Sequence, residues 1–291
     1  MMHQAMAAIE SGILYVVATP IGNLDDIAPR ALRVLGEVDL ILAEDTRVSA
    51  RLLRRFGIAT PVRAFHEHNE RRMAPDIVAQ IERGARIALI SDAGTPLLSD
   101  PGFHLTRLLH ERNRKIVPIP GPSALICALS ASGLPTDRFI FEGFLPSKQE
   151  ARRHRLQGLA EETRTLILYE SPHRIRETIR DMTEIFGDQR PGVIARELTK
   201  TFETIRSDSL ATLAGWLLED ENHQRGEFVL MIGGKPKPDP ARDEAITTED
   251  LRALRLLLEE LPLKKAVALA ARLTGRKKNA LYRLALAMNE P

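Results

Sequence analysis

The chain has a single cysteine, Cys127, in 291 residues. One thiol forms no internal disulfide, so the fold must rest on its own core, and this usage fits a reducing cytosol. Cys127 sits in the apolar run ALICALSA, where it reads as a small hydrophobe rather than a nucleophile. Aromatic residues are scarce at 4%, too few for stacking platforms to dominate recognition of any nucleic acid. No apolar run approaches the roughly 18 uninterrupted residues of a membrane helix; candidates such as VDLILA are strand-sized. The opening MMHQAMAAIESG lacks a cationic head and an apolar stretch, so residues 1–12 read as a disordered lead-in rather than a secretory signal. There is no solenoid repeat and no low-complexity tract. A disulfide scaffold, a helical membrane protein and a repeat array are thereby excluded. A cytoplasmic globular protein is expected.

What the chain does have is ordinary bulk and an uneven charge. Hydrophobic residues make up 44% and charged residues 27%, enough for a real core, and the length suits two domains. The formal net charge is only +2. From Leu263 onward, however, seven basic residues (Lys264, Lys265, Arg272, Arg276, Lys277, Lys278, Arg283) face one acid, Glu290. That stretch carries +6 and leaves −4 for the rest. Such asymmetry suits either an appendage facing a polyanion or a solvated helix face.

The first half alternates the strand-like runs ILYVVAT, DLILAED, RIALISDAG and RKIVPIPG with the helical spacing of APRALRVLGEV, APDIVAQIERG and GFHLTRLLHERN. This predicts an α/β domain over residues 13–120 with a mostly parallel sheet, whose ligand sites lie at the carboxyl ends of its strands. Pro118, Pro120 and Pro122 mark a boundary. A second α/β domain is expected over 121–236, from RFIFEGFL, RTLILYES, GVIARELT and FVLMIGG with helices between them. KPKPDPARDE supplies a linker over 237–246. The remainder, 247–291, is helical by pattern, with a Thr247/Asp250 capping box, an apolar stripe through Leu251, Leu254, Leu257, Leu258 and Leu261, and two further helices parted by Gly275. The last two resemble a helix-turn-helix.

The unusual loops follow strand ends. ATPIGNL places Thr19, Pro20, Ile21, Gly22 and Asn23 in a tight exit that lets a ligand approach main-chain N–H groups; it is not the dinucleotide fingerprint. SDAGTPLLSDPG packs two acids, two prolines, two glycines and three hydroxyls into twelve positions, among them Asp92, Ala93, Gly94 and Thr95, and so reads as functional. In PGPSA, Ser123 and Ala124 stand at a helix start that suits either an anion or tight packing. AEDTR carries Glu44 and Asp45. HEHNE carries Glu67 and Glu70 among His66, His68 and Asn69 and reads as a polar substrate- or interface-facing loop, with too few ligands for a metal. YESPHR and ARELTK bring Tyr169, Glu170, His173, Arg174, Glu197 and Lys200 to one sheet edge, where ion pairing alone would also explain each.

In order and spacing, ATPIGNL, AEDTR, SDAGTP, PGPSA, YESPHR, ARELTK and the closing LPLKKAVALAARLTGRKKNALY resemble the ribosomal RNA small subunit methyltransferase I family of the tetrapyrrole methylase superfamily, from about Ile13 to Met288. The resemblance implies a two-domain α/β tetrapyrrole methylase-like fold with a small all-α helix-turn-helix-like module. It implies S-adenosyl-L-methionine as cofactor, held by Thr19–Gly22, Asp92–Thr95, Ser123–Ala124 and Tyr169. It implies a homodimer and, as substrate, the 16S rRNA of the 30S subunit, methylated on the ribose 2'-hydroxyl of one cytidine (cytidine 1402). Glu44, Asp45, Glu170, Glu197 and Lys200 are candidates for the catalytic role, Glu197 and Lys200 first because they combine an acid and a cation at one strand end. Phosphates would meet Lys264, Lys265, Arg276, Lys277 and Lys278. The alternatives are a methylase of the same fold acting on a tetrapyrrole or a protein side chain, and a non-catalytic RNA-binding assembly protein.

Overall fold

The computed structural model describes residues 10–236 and 247–289. The lead-in expected over residues 1–12 is therefore described only from Glu10, and the linker expected over 237–246 lies outside the described residues. The chain divides into two compact units, one up to Lys235 and one from Pro236.

The first unit opens with a wholly parallel sheet of β1 (Ile13–Val17), β2 (Leu40–Ala43), β3 (Val62–Ala64), β4 (Arg86–Ile90) and β5 (Ile116–Ile119), in the order β3-β2-β4-β1-β5. Its inner strands are near-continuous apolar runs because both faces are covered. Ile13, Tyr15 and Val17 point toward α1 (Pro29–Glu37) and α2 (Thr46–Arg55), packing on Ala31, Val34, Leu35 and Leu53. Leu14, Leu42, Ile87 and Leu89 point the other way, toward α3 (Glu67–Glu82) and α4 (Phe103–Glu111).

α5 (Ala124–Ala131) leads into a mixed sheet of β6 (Phe139–Phe144), β7 (Thr165–Glu170), β8 (Pro191–Arg196), β9 (Thr204–Ser209) and β10 (Phe228–Ile232). The order is β6-β7-β10-β8-β9, with only β6 and β7 parallel. Leu125, Ala128 and Leu129 of α5 cover one face over Ile167, Val193 and Met231. On the other face lie α6 (Gln149–Leu159), α7 (Ile175–Phe186) and α8 (Leu210–Glu219), with Leu156, Ile179, Met182, Leu213 and Trp216 in the core.

HEHNE corrects the sequence reading. It is no loop: it forms the first turns of α3, with the Asn69 side chain accepting from the His66 amide at 2.9 Å. Glu70 turns inward, 8% exposed, and accepts from the amides of His104 and Leu105 at 2.8 and 3.0 Å. A carboxylate there satisfies orphan donors of the first turn of α4 and complements its dipole. The edge strands β3 and β9 also escape the apolar pattern, since they are short or polar on one side.

The second unit holds α9 (Thr248–Glu260), α10 (Leu263–Thr274) and α11 (Lys278–Asn289) around Leu254, Val267, Ala270, Leu281 and Ala285. The Thr247/Asp250 capping box is present as read. Asp250 also accepts from Arg276 Nε at 2.8 Å, which ties the start of α9 to the turn before α11. Among the described residues, no helix is long and apolar enough to cross a membrane.

A cleft between two sheets as the candidate active site

Three loops at the carboxyl ends of the parallel sheet interlock before they meet anything else. Thr19 and Gly94 exchange main-chain hydrogen bonds of 2.9 and 3.0 Å, an isolated bridge between the first and second loops. Thr19 Oγ1 donates to the Ser91 carbonyl at 3.1 Å, and Thr95 Oγ1 donates to the Pro122 carbonyl at 3.0 Å. Gly94 takes φ +82°, a left-handed conformation open to glycine at no steric cost. Leu97 and Ser99 take φ +74° and +70° without that freedom, so this loop holds strain that its surroundings must enforce.

These loops form one wall of a cleft of about 480 Å³, a size suited to a cofactor-scale ligand. Ile21, Ala93, Gly94, Thr95 and Ala124 line that wall. The mixed sheet supplies the other: Phe144, Tyr169, Glu170, Ser171, Pro172, His173, Leu198, Glu227, Phe228 and Val229. The rings of Phe141 and Phe144 stand edge-on to Tyr169 at 5.0 and 5.7 Å between centroids. A register shift between Phe141 and Gly143 in β6 re-aims Phe144 toward the cleft. Thr19, Pro20, Gly22, Asp92 and Ser123 do not line it. Thr19 and Pro20 are buried behind it, and the Ser123 hydroxyl is buried with no hydrogen-bond partner among the described residues.

The charged candidates separate into groups. Glu170, 2% exposed, accepts from the Ser171 amide and Thr178 Oγ1, each at 2.7 Å, and pairs with Arg174 at 2.8 Å. It anchors the β7–α7 turn. Glu197 accepts from Lys200 Nζ at 2.9 Å and from the Glu227 amide at 3.0 Å, and Lys200 also reaches Glu227 at 2.9 Å. Burial pushes the Glu197 carboxyl up, but Lys200, the Glu227 amide and Arg196 more than offset this and hold it low. Burial likewise pulls Lys200 down, and its two carboxylate partners raise it overall. Glu197 and Thr199 sit at φ +51° and +66°. This strained turn packs on the first loop: the Asn23 amide donates to Thr199 Oγ1 at 3.0 Å, and a Cβ on Gly22 would lie 2.5 Å from Lys200 Cγ.

Glu44, Asp45 and Asp92 gather elsewhere, with Asp100. The Asp92 carboxylate accepts from the Asp45 amide at 3.0 Å. Asp45 caps α2 and pairs with Arg47 at 2.6 Å, and the Arg47 guanidinium holds its carboxyl well below the usual range. Burial, then the Asp92 charge, raises Glu44; burial also raises Asp92. Asp100 is pushed up to about 6, by burial first and Glu44 second. Its acidity in the folded state is thus weaker than in the unfolded chain, so stability falls as pH rises from about 4 to 6 and the penalty is complete above that. Asp100→Asn should raise the melting temperature at pH 7.5 by about 2 °C, after discounting for solvent screening, and should change nothing at pH 4. Equal melting curves at both pH values would show the group unperturbed.

Sequence reasoning missed Phe144, Leu198, Glu227, Phe228 and Val229 in the cleft. The one signal available was Gly143 inside an aromatic strand, since a glycine there marks a bulge. Cys127 is half-buried, and burial raises its thiol above the usual range, which disfavours a nucleophilic thiolate. Among the described residues, no three His, Cys, Asp or Glu side chains converge as a metal site.

The profile of the tetrapyrrole (corrin/porphyrin) methylases matches residues 13–214, which hold both walls of this cleft except Glu227, Phe228 and Val229. Solved structures share the fold at low identity. The methyltransferase CobJ aligns at a TM-score of 0.58 and 20% identity, over 77% of this chain and 95% of its own. Diphthine synthase aligns at 0.57 and 14%, over 76% and 90%. A second profile, the RsmI C-terminal HTH domain, matches residues 244–289. Ribosomal RNA small subunit methyltransferase I of Pseudomonas aeruginosa is 59% identical over 96% of this chain and 98% of its own length. That of Escherichia coli O157:H7 is 52% identical over 98% of each. The chain belongs to the ribosomal RNA small subunit methyltransferase I family.

Proposed function

We propose that the chain is an S-adenosyl-L-methionine-dependent methyltransferase acting on the 2'-hydroxyl of a cytidine ribose, cytidine 1402, in the 16S rRNA of the 30S subunit. The cleft carries this reading. Main chain at Ala93–Thr95 and the Tyr169 ring offer polar and flat apolar surfaces on opposite walls, and the relatives that match almost the whole chain bear the corresponding name. The residues fit the cofactor. The Ser123 hydroxyl, beside Ala124 of the lining, is buried without a partner among the described residues, and a Cβ on Gly94 would already touch Ile21 at 3.4 Å, so that the bare glycine keeps this wall open to a ligand.

In this reading, Ile21, Ala93, Gly94, Thr95, Ala124 and Tyr169, which line the cleft, hold the cofactor, while Thr19, Pro20, Gly22 and Ser123 set the loops behind them. Asp92 steadies the neighbouring AEDTR turn through the Asp45 amide. When bound, the cofactor supplies an electrophilic methyl group on a sulfonium leaving group. Alignment of the ribose oxygen with that carbon accounts for much of the rate. Lys200, held protonated between Glu197 and Glu227, would stabilise negative charge developing on the oxygen as its proton passes to water; Glu197 keeps Lys200 in place. The helical module, with Lys264, Lys265, Lys277 and Lys278, meets rRNA phosphates. Homodimer assembly and action in the cytoplasm belong to the same proposal.

The test is methyl transfer from labelled S-adenosyl-L-methionine to 30S subunits that lack the native modification, with the product mapped by mass spectrometry. A single ribose-methylated cytidine is expected. Bound cofactor with no transfer to 30S or free 16S rRNA would move the reading to another acceptor on the same fold, such as a tetrapyrrole or a protein side chain.

A further inference from the structure

A second concavity, about 740 Å³, runs along the outer face of α7 toward α8. It is continuous with the cleft, because Pro172 and His173 line both. Arg176 and Arg180 stand on its α7 side, and Leu217 and Leu218 form part of its floor. Leu218 is 63% exposed.

The charges in the groove are unevenly matched. Its two acids, Glu177 and Glu184, are already engaged from α6: Glu177 accepts from Arg152 at 3.4 Å, and Glu184 accepts from Arg153. Both arginines are held from behind by the fully buried Asp181, at 2.8 and 3.0 Å. Four guanidiniums thus face three carboxylates, and the two with no ion pair among the described residues are the exposed Arg176 and Arg180. Four positions apart on a helix, they are neighbours about 6 Å apart, comparable to successive phosphates along a nucleic-acid strand. An exposed, unpaired guanidinium is well suited to a phosphate, which it can grip with two donors.

We infer that this groove binds the phosphodiester backbone of the RNA strand next to the target nucleotide, with Arg176 and Arg180 on neighbouring phosphates and His173 at the junction with the cleft. The inference rests on the proposed rRNA reading. Charge complementarity selects a polyanion, and continuity with the cleft selects the strand that carries the reacting ribose. The exposed Leu218 offers an apolar seat to a splayed base. None of these residues was among the basic residues of the C-terminal module, so the groove is a separate RNA contact.

The experiment compares full-length wild type with Arg176→Glu/Arg180→Glu and Arg176→Lys/Arg180→Lys. Binding to 30S subunits is measured across a salt series, and cofactor affinity by calorimetry. The charge-reversed protein should bind 30S at least tenfold more weakly, and its plot of log affinity against log salt should be shallower by about 1.4, the single-strand value for two phosphates. The lysine variant should stay near wild type, and cofactor affinity should not change in either. Wild-type affinity and slope in the charge-reversed protein would overturn the inference, as would a loss shared equally by cofactor binding. Salt-dependent binding is read without catalysis. Absence of methyl transfer by wild type would therefore sink the rRNA-methylation reading, whereas an unchanged slope in the variant sinks the groove.

Discussion

Replacing Gly94 by valine is expected to lower affinity for S-adenosyl-L-methionine at least a hundredfold while leaving the protein folded. Gly94 stands at φ +82°, where an L-residue costs about 1–2 kcal/mol and a β-branched one is a genuine outlier. Its amide and carbonyl both bond Thr19, so the backbone cannot relax to a common conformation without breaking the link between the first two loops. The added Cβ would lie 3.4 Å from Ile21 Cγ2, already ordinary contact, and the two further methyls must extend into space the cofactor needs. A hundredfold loss corresponds to about 2.8 kcal/mol, within reach of occlusion and strain together. Gly94→Ala, with a smaller backbone penalty and no branch, should lose less. The check is calorimetric titration beside a thermal melt. A valine variant that melts like wild type and binds cofactor at full strength would remove this loop from the cofactor site.

That loop was legible in the sequence, and the reason is physical. Runs such as RIALI and ILYVV are buried on both faces of a parallel sheet, so their apolar character is nearly unbroken and their ends are easily located. Loops that follow such ends and carry glycine, proline and aspartate together declare an unusual backbone, and the left-handed angles at Gly94, Leu97 and Ser99 are its outcome. Glu70 illustrates what stays hidden. Beside two histidines it looks like surface chemistry, yet its carboxylate caps α4, 34 residues away in sequence. No local pattern encodes that distance. β9 was hidden differently: TIRSDS pairs with β8 on one side only, and an edge strand needs little apolar content. The role of Glu197 turned on partners too, for only the fold shows Lys200 and the Glu227 amide holding it ionised.

The second large effect is expected in the helical module, where stability and RNA binding should respond with opposite signs. Lys264 and Lys265 occupy the first turn of α10, which begins at Leu263 and has no acidic residue in that turn. Both are exposed, and neither has an ion-pair partner among the described residues. Cations there oppose the helix dipole, at a cost of roughly 0.3–1 kcal/mol each at low ionic strength. Lys264→Glu/Lys265→Glu should therefore leave the melting temperature of the protein unchanged or slightly raised. If the same lysines contact phosphates, reversal should weaken 30S binding on the order of a hundredfold near physiological salt and reduce the slope of log affinity against log salt by about 2. Cofactor affinity should not move. Arg276→Ala is the counterpart. Its guanidinium bonds Asp250 at 2.8 Å, so that change should lower the melting temperature, because a capping carboxylate loses a partner. A lysine-reversed protein that keeps full 30S affinity would mean that these cations are a solvated helix face. One that loses both affinity and stability would mean that they serve the fold.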